Sequence, residues 1–417
     1  MVINLKAEII SVGTELLLGE IINTNAQYIA KKLADLGIDV YHQSVVGDNM
    51  VRVCEAFEMA FKRSDLVITT GGLGPTKDDM TKEAAAQFLN RELVPHEESL
   101  KGIEEYFRKR DLPVNEGNRK QGYFPEGAII LPNPNGTAPA CIVENNNKKL
   151  ILLPGPPREM IPLLETQVVP YLRKYQDKVF AFKVLNICGI GEGDMEEIIM
   201  DIVEKQTNPT VAPYAKAHAL TLRIAASAVT QEEAEKLIVP VEKQIRERLG
   251  LNIYGEGDAT LEEVVSELLL QKKLTIATAE SCTGGLLSGR LINYPGISSV
   301  FIEGAITYSN QSKIKLLGVK PDTLEEYGAV SEEVAKEMAE GIYRAANTNI
   351  GLSVTGLAGP GGGSEDKPVG LIYIGLCING VTKVKKVKLN GNRNRIRHLI
   401  TTNALDFLRR ELLHFSF

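Results

Sequence analysis

Short apolar runs alternate with amphipathic stretches along the first part of the chain, and this alternation limits the fold more than any other feature. The runs Glu8–Val12, Ile38–Tyr41 and Leu66–Thr70 have the composition of buried strands. Between them, Asn25–Leu36 and Val51–Arg63 carry apolar residues at helical spacing. Strands that alternate with helices usually pair in parallel and are covered by helices on both faces. We therefore expect a parallel α/β sheet whose ligand site lies at the carboxyl ends of its strands.

The rest of the 417-residue chain divides into two further regions. Residues 173–256 combine strand patterns with two helical ones, which predicts a small α+β linking domain. Within it, Gly189–Gly193 fits either a phosphate loop or, more simply, a turn between strand and helix. Residues 257–417 contain five apolar strand patterns and a long final helix over Arg393–Leu413. The predicted fold class is α/β, with domains at residues 1–172, 173–256 and 257–417.

Composition narrows the classes of protein to consider. The formal net charge is −6, whereas proteins that bind nucleic acid usually carry a basic surface. The sequence has no apolar run of bilayer-spanning length and no signal-peptide pattern at its start. Its five cysteines are far apart and odd in number, which favours a reducing compartment over a disulfide framework. We expect a cytoplasmic protein with no membrane partner and no direct nucleic-acid partner.

A glycine-rich loop, Thr69–Thr81, follows the third apolar run and precedes a helical pattern. Three glycines let its backbone N–H groups converge on an anion: Gly71, Gly72 and Gly74. Asp78 and Asp79 are suited to hold a divalent cation against phosphate oxygens. The alternative is a tight turn in which Asp79 caps the following helix.

Three other loops complete this pattern: Gly13–Glu20, Asn133–Pro139 and Leu153–Pro157. With the glycine loop they resemble the molybdopterin-binding fold in its CinA branch, the competence/damage-inducible proteins, and Pro209–Tyr214 is similar to that family's KH-like linking domain. The resemblance implies a three-layer αβα domain that hydrolyses ADP-ribose to AMP and ribose 5-phosphate. It also implies a divalent metal ion (Mg²⁺, Mn²⁺ or Co²⁺), with potassium as a further candidate ion.

Within this domain we assign metal binding or water activation to Asp79 first, and Asp78 and Glu15 are the next candidates. The substrate-binding residues that the resemblance implies here are Glu15, Gly71, Gly72, Gly74, Asn135, Gly136, Thr137 and Gly155.

A second motif, Ala279–Gly285 (AESCTGG), lies where a strand pattern gives way to a helical one. A serine there is usually a helix N-cap, but the glycines that follow Ser281 would leave backbone N–H groups free to stabilise an oxyanion. Ser281 is therefore a candidate nucleophile. Cys282 is the rival nucleophile, because a thiol near a helix N-terminus ionises readily.

The base for this serine is sought in Thr307–Lys313 (TYSNQSK), at the end of another strand pattern. A partly desolvated Lys313 would lose its proton readily and serve as general base, and Tyr308 would relay the proton or orient the hydroxyl. The alternative is that Lys313 is a solvated surface residue, as most lysines are.

Together with Thr355–Gly363 (TGLAGPGGG), these motifs resemble the nicotinamide mononucleotide (NMN) deamidase domain of the CinA family. The resemblance implies conversion of NMN to nicotinate mononucleotide and ammonia, with Ser281, Lys313 and Tyr308 as the catalytic set and no cofactor. The substrate-binding candidates, including a glycine loop and arginines for the phosphate, are Thr283, Gly284, Gly285, Asn310, Gly356, Gly359, Gly361, Gly362, Arg393 and Arg397.

Three functions of different classes remain open at this stage. The first is a bifunctional hydrolase that acts on NMN and ADP-ribose, which the family resemblance suggests is a homodimer. The second is a pterin- or nucleotide-binding module with a degenerate first site, because fold does not fix function. The third is a protein associated with DNA uptake, against which the acidic net charge counts.

Overall fold

The computed structural model describes residues 5–215 and 220–414. The chain folds into two compact units, one formed by residues 1–181 with 227–235 and the other by residues 182–226 with 236–417. In the described part, no helix combines the length and the apolar character needed to span a bilayer. All five cysteines are free thiols.

The first unit is an α/β domain. Its strands are β1 (Lys6–Val12), β2 (Asp39–Val46), β3 (Leu66–Thr70), β4 (Leu93–Pro95), β5 (Tyr123–Pro125), β6 (Ile129–Leu131), β7 (Ala140–Asn145) and β8 (Lys148–Leu153). Its helices are α1 (Thr14–Leu17), α2 (Thr24–Asp35), α3 (Met50–Arg63), α4 (Thr81–Leu89), α5 (Glu97–Arg108), α6 (Glu116–Lys120), α7 (Pro157–Leu163) and α8 (Val169–Arg173).

The main sheet of this unit has the strand order β2-β1-β3-β8-β7-β6. The first four of these strands are parallel, but β7 and β6 are antiparallel to their neighbours, so the prediction of an all-parallel sheet is wrong at this edge. The reason is a two-residue turn at Asn146 and Asn147, both with positive φ, because such a turn can join only antiparallel strands.

Helices cover both faces of this sheet, as the sequence predicts. All five residues of β3 are buried, between one apolar cluster that includes α2, α7 and α8 and another that includes α3 and α4. The carboxyl ends of β1, β3 and β8 therefore lie side by side, and the loops that follow them begin at Gly13, Gly71 and Pro154.

The second unit begins with a small α+β region. Its elements are β9 (Val179–Ile187), α9 (Glu192–Glu204), β10 (Thr210–Ala215), β11 (Leu220–Ala228), α10 (Gln231–Leu249) and β12 (Ile253–Glu256), with the sheet order β10-β11-β9-β12. Gly189 packs so closely on Arg410 that a Cβ there would lie 2.5 Å from the guanidinium. The Gly189–Gly193 segment is thus a packed turn between strand and helix, and the phosphate-loop interpretation has no support.

The remainder of the second unit is a second α/β domain. Its elements are α11 (Leu261–Lys272), β13 (Ile276–Glu280), α12 (Leu286–Ile292), β14 (Phe301–Ile306), α13 (Asn310–Leu317), α14 (Pro321–Tyr327), α15 (Glu332–Ala345), β15 (Ile350–Gly356), β16 (Leu371–Ile378), β17 (Val381–Lys388) and α16 (Arg393–His414). The strand order is β14-β13-β15-β16-β17; β14, β13 and β15 are parallel, and the last two strands are antiparallel. The loops after β13 and β14 therefore emerge side by side.

Candidate active sites

Ser281 and Lys313 meet at the carboxyl ends of β13 and β14. The two strands are adjacent and parallel, so the turn that follows β13 lies beside the loop that leads from β14 into α13. Lys313 Nζ lies 3.1 Å from Ser281 Oγ, within hydrogen-bonding distance. This is the separation at which a hydroxyl can pass its proton directly to an amine.

The environment of Lys313 favours a neutral amine. The side chain is 1% exposed, which excludes the alternative of a solvated surface lysine. Its Nζ also donates to the backbone carbonyls of Thr307 (2.8 Å) and Tyr308 (3.2 Å). Burial lowers the pKa of Lys313, the Cys282 thiol opposes this effect, and no carboxylate contributes. An amine in such a pocket is a candidate general base.

The turn after Ser281 is held by the carboxylate that precedes it. Glu280 is completely buried and accepts hydrogen bonds from the backbone N–H groups of Gly285 (3.0 Å), Leu287 (3.0 Å) and Ser288 (2.8 Å) and from the Ser288 hydroxyl (2.6 Å). It therefore caps α12, and Ser281 does not.

The predicted oxyanion donors are not free. The N–H of Gly285 is bonded to Glu280, and that of Gly284 donates to the carbonyl of Ser281 (3.2 Å). The expectation that these two glycines leave unused N–H groups is wrong, because the glycines instead form a tight turn with positive φ at both positions. The buried hydroxyls of Thr283 and Thr307 make no hydrogen bond in the described part of the chain.

Cys282 and Tyr308 lie close by in sequence but differ in environment. Cys282 is buried, and burial raises the pKa of its thiol to about 12, so the thiol stays protonated near neutral pH. The Tyr308 side chain is 65% exposed, and the contact that the structure shows between this residue and Lys313 is made by its backbone carbonyl. The geometry therefore disfavours Cys282 as nucleophile and shows no contact of the Tyr308 phenol with the Ser281–Lys313 pair.

The first turns of α16 carry two arginines with different contacts. Arg393 is exposed, and its Nη1 donates to the carbonyl of Gly359 (2.7 Å), in the loop that also contains Gly361 and Gly362 and follows Gly356, the last residue of β15. Arg397 donates through Nε to the carbonyl of Cys282 (3.2 Å) and through Nη2 to that of Thr283 (2.5 Å).

These contacts separate the roles of the two arginines. The guanidinium of Arg397 braces the nucleophile turn, which differs from the predicted role in phosphate binding. Arg393 keeps further guanidinium N–H donors beside an exposed glycine loop. Asn310 is exposed in the first turn of α13, whose N-cap is Ser309.

A cavity of about 520 Å³ lies at the carboxyl ends of β1, β3 and β8 in the first unit. The predicted residues that line it are Glu15, Gly71, Gly72, Gly74, Asp78, Asp79, Thr137 and Gly155. Asn135 and Gly136 do not line it. Gly136 instead packs against Glu159, which does line the cavity. The packing is so close that a Cβ added at Gly136 would lie 2.0 Å from Glu159 Oε2.

Asp79 shapes the glycine loop. Its Oδ2 accepts a hydrogen bond from the N–H of Thr76 (2.9 Å) and a second from the Thr76 hydroxyl. The N-cap of α4 is Met80, so the alternative in which Asp79 caps that helix is wrong. One carboxylate oxygen thus closes the turn, and Asp79 is among the residues that line the cavity.

The walls of this cavity are strongly acidic. Two carboxylates that the sequence analysis did not identify, Asp48 and Glu159, join those of Glu15, Asp78 and Asp79, and no lysine, arginine or histidine is among the lining residues. Both follow the same signal as the predicted residues: Asp48 lies in the loop after β2, and Glu159 lies in the first turn of α7, shortly after β8. An anionic ligand could enter such a cavity only together with a cation.

The donor set fits a hard cation that shares its ligands with a substrate. In the ranges 5–215 and 220–414, no three acidic, histidine or cysteine side chains are arranged to hold a metal ion by themselves. Mg²⁺ is commonly held by one or two carboxylates together with substrate phosphate oxygens. Asp78 and Asp79 are adjacent and offer such a partial set.

Comparison with protein families assigns the whole chain to known domains. Residues 258–412 match the CinA C-terminal domain, residues 8–174 match the family described as "Probable molybdopterin binding domain", and residues 182–255 match the "Damage-inducible protein CinA KH domain".

Full-length relatives are similar along the whole chain. A competence-damage inducible protein of Alkaliphilus oremlandii is 76% identical over 412 residues, covering 99% of this chain and 100% of the relative. One from Alkaliphilus metalliredigens is 66% identical over 409 residues, covering 98% and 100%. Among solved structures, CinA of Thermoplasma acidophilum is 38% identical, covers 39% of this chain and 95% of its own, and has a TM-score of 0.37.

Proposed function

This chain belongs to the CinA family of competence/damage-inducible proteins, and we propose that its C-terminal domain deamidates nicotinamide mononucleotide with Ser281 as nucleophile and Lys313 as general base. One observation carries the proposal: Lys313 Nζ lies 3.1 Å from Ser281 Oγ, in a pocket that lowers the pKa of the amine. A buried lysine without a carboxylate partner is costly to keep charged, and a hydroxyl needs a base before it can attack an amide.

The first half of the reaction forms an ester with the enzyme. Ser281 Oγ attacks the carboxamide carbon while Lys313 Nζ takes the hydroxyl proton. As the tetrahedral intermediate collapses, the C–N bond breaks and the Lys313 ammonium returns that proton to the departing nitrogen, which leaves as ammonia. The Thr307 and Tyr308 carbonyls stabilise the transient ammonium, since each accepts a hydrogen bond from Nζ.

The second half releases the acid. Water attacks the ester carbon and gives a proton to Lys313 Nζ, and the C–O bond to Ser281 then breaks as the lysine reprotonates Oγ. The products are nicotinate mononucleotide and the free enzyme. The substrate phosphate is assigned to Arg393 and the glycine loop it contacts, because Arg393, Gly361 and Gly362 are exposed and arginine suits phosphate oxygens.

For the first unit, the same proposal includes metal-dependent hydrolysis of ADP-ribose. The acidic cavity supports this activity, because its five lining carboxylates would repel a diphosphate unless a cation lies between them. Asp79 and Asp78 would hold the metal ion. When bound, such an ion offsets phosphate charge and makes water more acidic. The glycine loop supplies backbone donors for the diphosphate oxygens.

We also propose that the protein forms a homodimer. Strand β14 forms one edge of its sheet, and no other strand in the described part of the chain pairs with its outer side. Ile302 and Ile306 on this strand are 51% and 55% exposed. An exposed apolar edge strand is a common pairing site between chains. Sedimentation velocity of the purified protein would measure the oligomeric state.

One assay tests both activities. Purified protein is incubated with NMN and, separately, with ADP-ribose, each with and without a metal chelator, and the products are identified by chromatography. We expect ammonia and nicotinate mononucleotide from NMN in both conditions, and AMP and ribose 5-phosphate from ADP-ribose only without chelator. Failure to release ammonia from NMN would contradict the deamidase proposal.

A further inference from the structure

A second cavity opens beside the acidic one in the first unit. It has a volume of about 330 Å³, and Thr137 lines both cavities. Asn133, on the wall of the second cavity, donates from Nδ2 to Glu159 Oε2 (2.7 Å) on the wall of the first. The two spaces are therefore neighbours across one loop, and we call the smaller one the side cavity.

The walls of the side cavity differ in chemistry from those of the acidic cavity. One wall is a single face of α5, because Ser99, Gly102, Ile103 and Tyr106 recur at helical spacing. The opposite wall contains three prolines of the adjacent loop: Pro132, Pro134 and Pro139. The side cavity is thus mainly apolar, with one carboxylate (Glu98) and one imidazole (His96) among its lining residues, whereas the acidic cavity is lined by five carboxylates.

Tyr106 gives the side cavity a fixed aromatic surface. The guanidinium of Arg110 stacks on its ring at 3.6 Å from the centroid, and this contact holds the ring in place. An aromatic ring that is already ordered loses little entropy when a flat ligand stacks on it. Prolines and an aliphatic side chain opposite such a ring suit a planar heteroaromatic ligand.

We propose that the side cavity binds the nucleobase of a nucleotide whose phosphates occupy the acidic cavity. The inference rests on the proposed hydrolysis of a nucleoside diphosphate sugar and assigns the base-binding part of that site. It explains why an apolar pocket adjoins a cluster of carboxylates: a nucleotide has one planar, weakly polar end and one anionic end that needs a cation. The specificity for the nucleoside would then come from α5 and the proline loop.

Gly102 offers a test that fills the side cavity without disturbing the fold. It lies on α5 at the cavity, and a Cβ added there meets no atom within 4 Å. Gly102→Leu places a side chain into the open space and favours the helix, because glycine is a poor helix former. Tyr106→Ala removes the aromatic surface instead. Lys101→Leu, an exposed change on the same helix that lines neither cavity, is the matched control.

The measurement is calorimetric titration of the full-length protein with AMP and with ribose 5-phosphate, which lacks the base. We expect Gly102→Leu and Tyr106→Ala to weaken AMP binding about tenfold, in line with the loss of one base–aromatic stack, and to leave ribose 5-phosphate binding unchanged. Lys101→Leu should bind both ligands as the wild type does. AMP binding by Gly102→Leu with wild-type affinity overturns the proposal.

The outcome separates this inference from the proposed activity. If AMP affinity falls in Gly102→Leu but wild-type protein does not hydrolyse ADP-ribose, the base site stands and the pyrophosphatase activity fails. If the wild type hydrolyses ADP-ribose and Gly102→Leu does so with unchanged KM, the activity stands and the base site is wrong.

Discussion

Lys313 Nζ lies 3.1 Å from Ser281 Oγ, although 32 residues separate the two along the chain. Two adjacent parallel strands bring them together: Ser281 directly follows β13, and Lys313 lies in the first turns of the helix after β14. The amine is fully enclosed, and no carboxylate contributes to its pKa. This pair is therefore built to exchange a proton, and several predictions depend on it.

Replacing the amine should remove catalysis without removing the fold. Lys313→Met keeps most of the buried aliphatic volume but has no proton acceptor, so kcat for NMN deamidation should fall by about 10²–10⁴-fold, the usual contribution of a general base. Lys315→Met, an exposed change on the same helix, is the matched control and should keep wild-type kcat. Retained activity in Lys313→Met would show that another group is the base.

The pH dependence of deamidation should follow the ionisation of Lys313. Only the neutral amine can accept the serine proton, so kcat/KM should rise with pH as Lys313 loses its proton. Because burial lowers the pKa of Lys313, the midpoint should lie below the ordinary lysine value of 10.5. The measurement is kcat/KM for NMN from neutral to alkaline pH, and a flat profile across that range would contradict the lysine base.

Glu280 should affect catalysis by positioning Ser281 through hydrogen bonds to the turn that follows it. Its four hydrogen bonds fix the turn that presents Ser281, and Gln can replace only part of them. Glu280→Gln should therefore lower kcat about tenfold, on the scale of about 1.4 kcal/mol per factor of ten, and leave KM for NMN near its wild-type value. The midpoint of the pH profile should stay in place, because Glu280 does not contribute to the pKa of Lys313.

Two results would overturn this positioning role. One is unchanged kcat in folded Glu280→Gln, and the other is a displaced pH midpoint, which would mean that the carboxylate acts on the lysine directly. Glu303→Gln, an exposed change on β14, is the control.

The two activities should respond to different substitutions. Asp79→Asn removes a carboxylate charge from the acidic cavity, and we expect ADP-ribose hydrolysis to fall by about 10²-fold or more, while ammonia release from NMN stays at the wild-type rate. A chelator should have the same selective effect, and added Mg²⁺, Mn²⁺ or Co²⁺ should reverse it. Loss of both activities in Asp79→Asn would point to misfolding, which circular dichroism would detect, and full ADP-ribose hydrolysis would exclude Asp79 as the metal ligand.

The sequence predicts the repeating strands and helices well, because apolar periodicity reports which faces are buried. It also predicts that Ser281 and Lys313 each follow a strand, since both motifs come directly after strand patterns, but the pairing of those two strands is known only from the structure. Periodicity does not report strand direction, so the prediction of a parallel sheet is wrong for β7 and β6, which are antiparallel to their neighbours. A two-asparagine turn sets that direction, and asparagine tolerates positive φ.

The sequence patterns did not predict which hydrogen-bond partners the polar groups of the site would find. Arg397 has the position of a phosphate ligand, yet its guanidinium binds the carbonyls of Cys282 and Thr283. The Gly284 and Gly285 N–H groups are taken by the turn itself and by Glu280. In each case a donor that looks free in the motif is used by another group of the protein once the chain has folded.

The most direct test of the account compares Ser281→Ala with Cys282→Ala for ammonia release from NMN. Cys282 is buried with its thiol pKa raised to about 12, whereas the Ser281 hydroxyl lies 3.1 Å from the Lys313 amine. Ser281→Ala should lower kcat by about 10³-fold or more, and Cys282→Ala should stay within about threefold of wild type. Ammonia release that survives in Ser281→Ala and disappears in Cys282→Ala would contradict the proposed nucleophile.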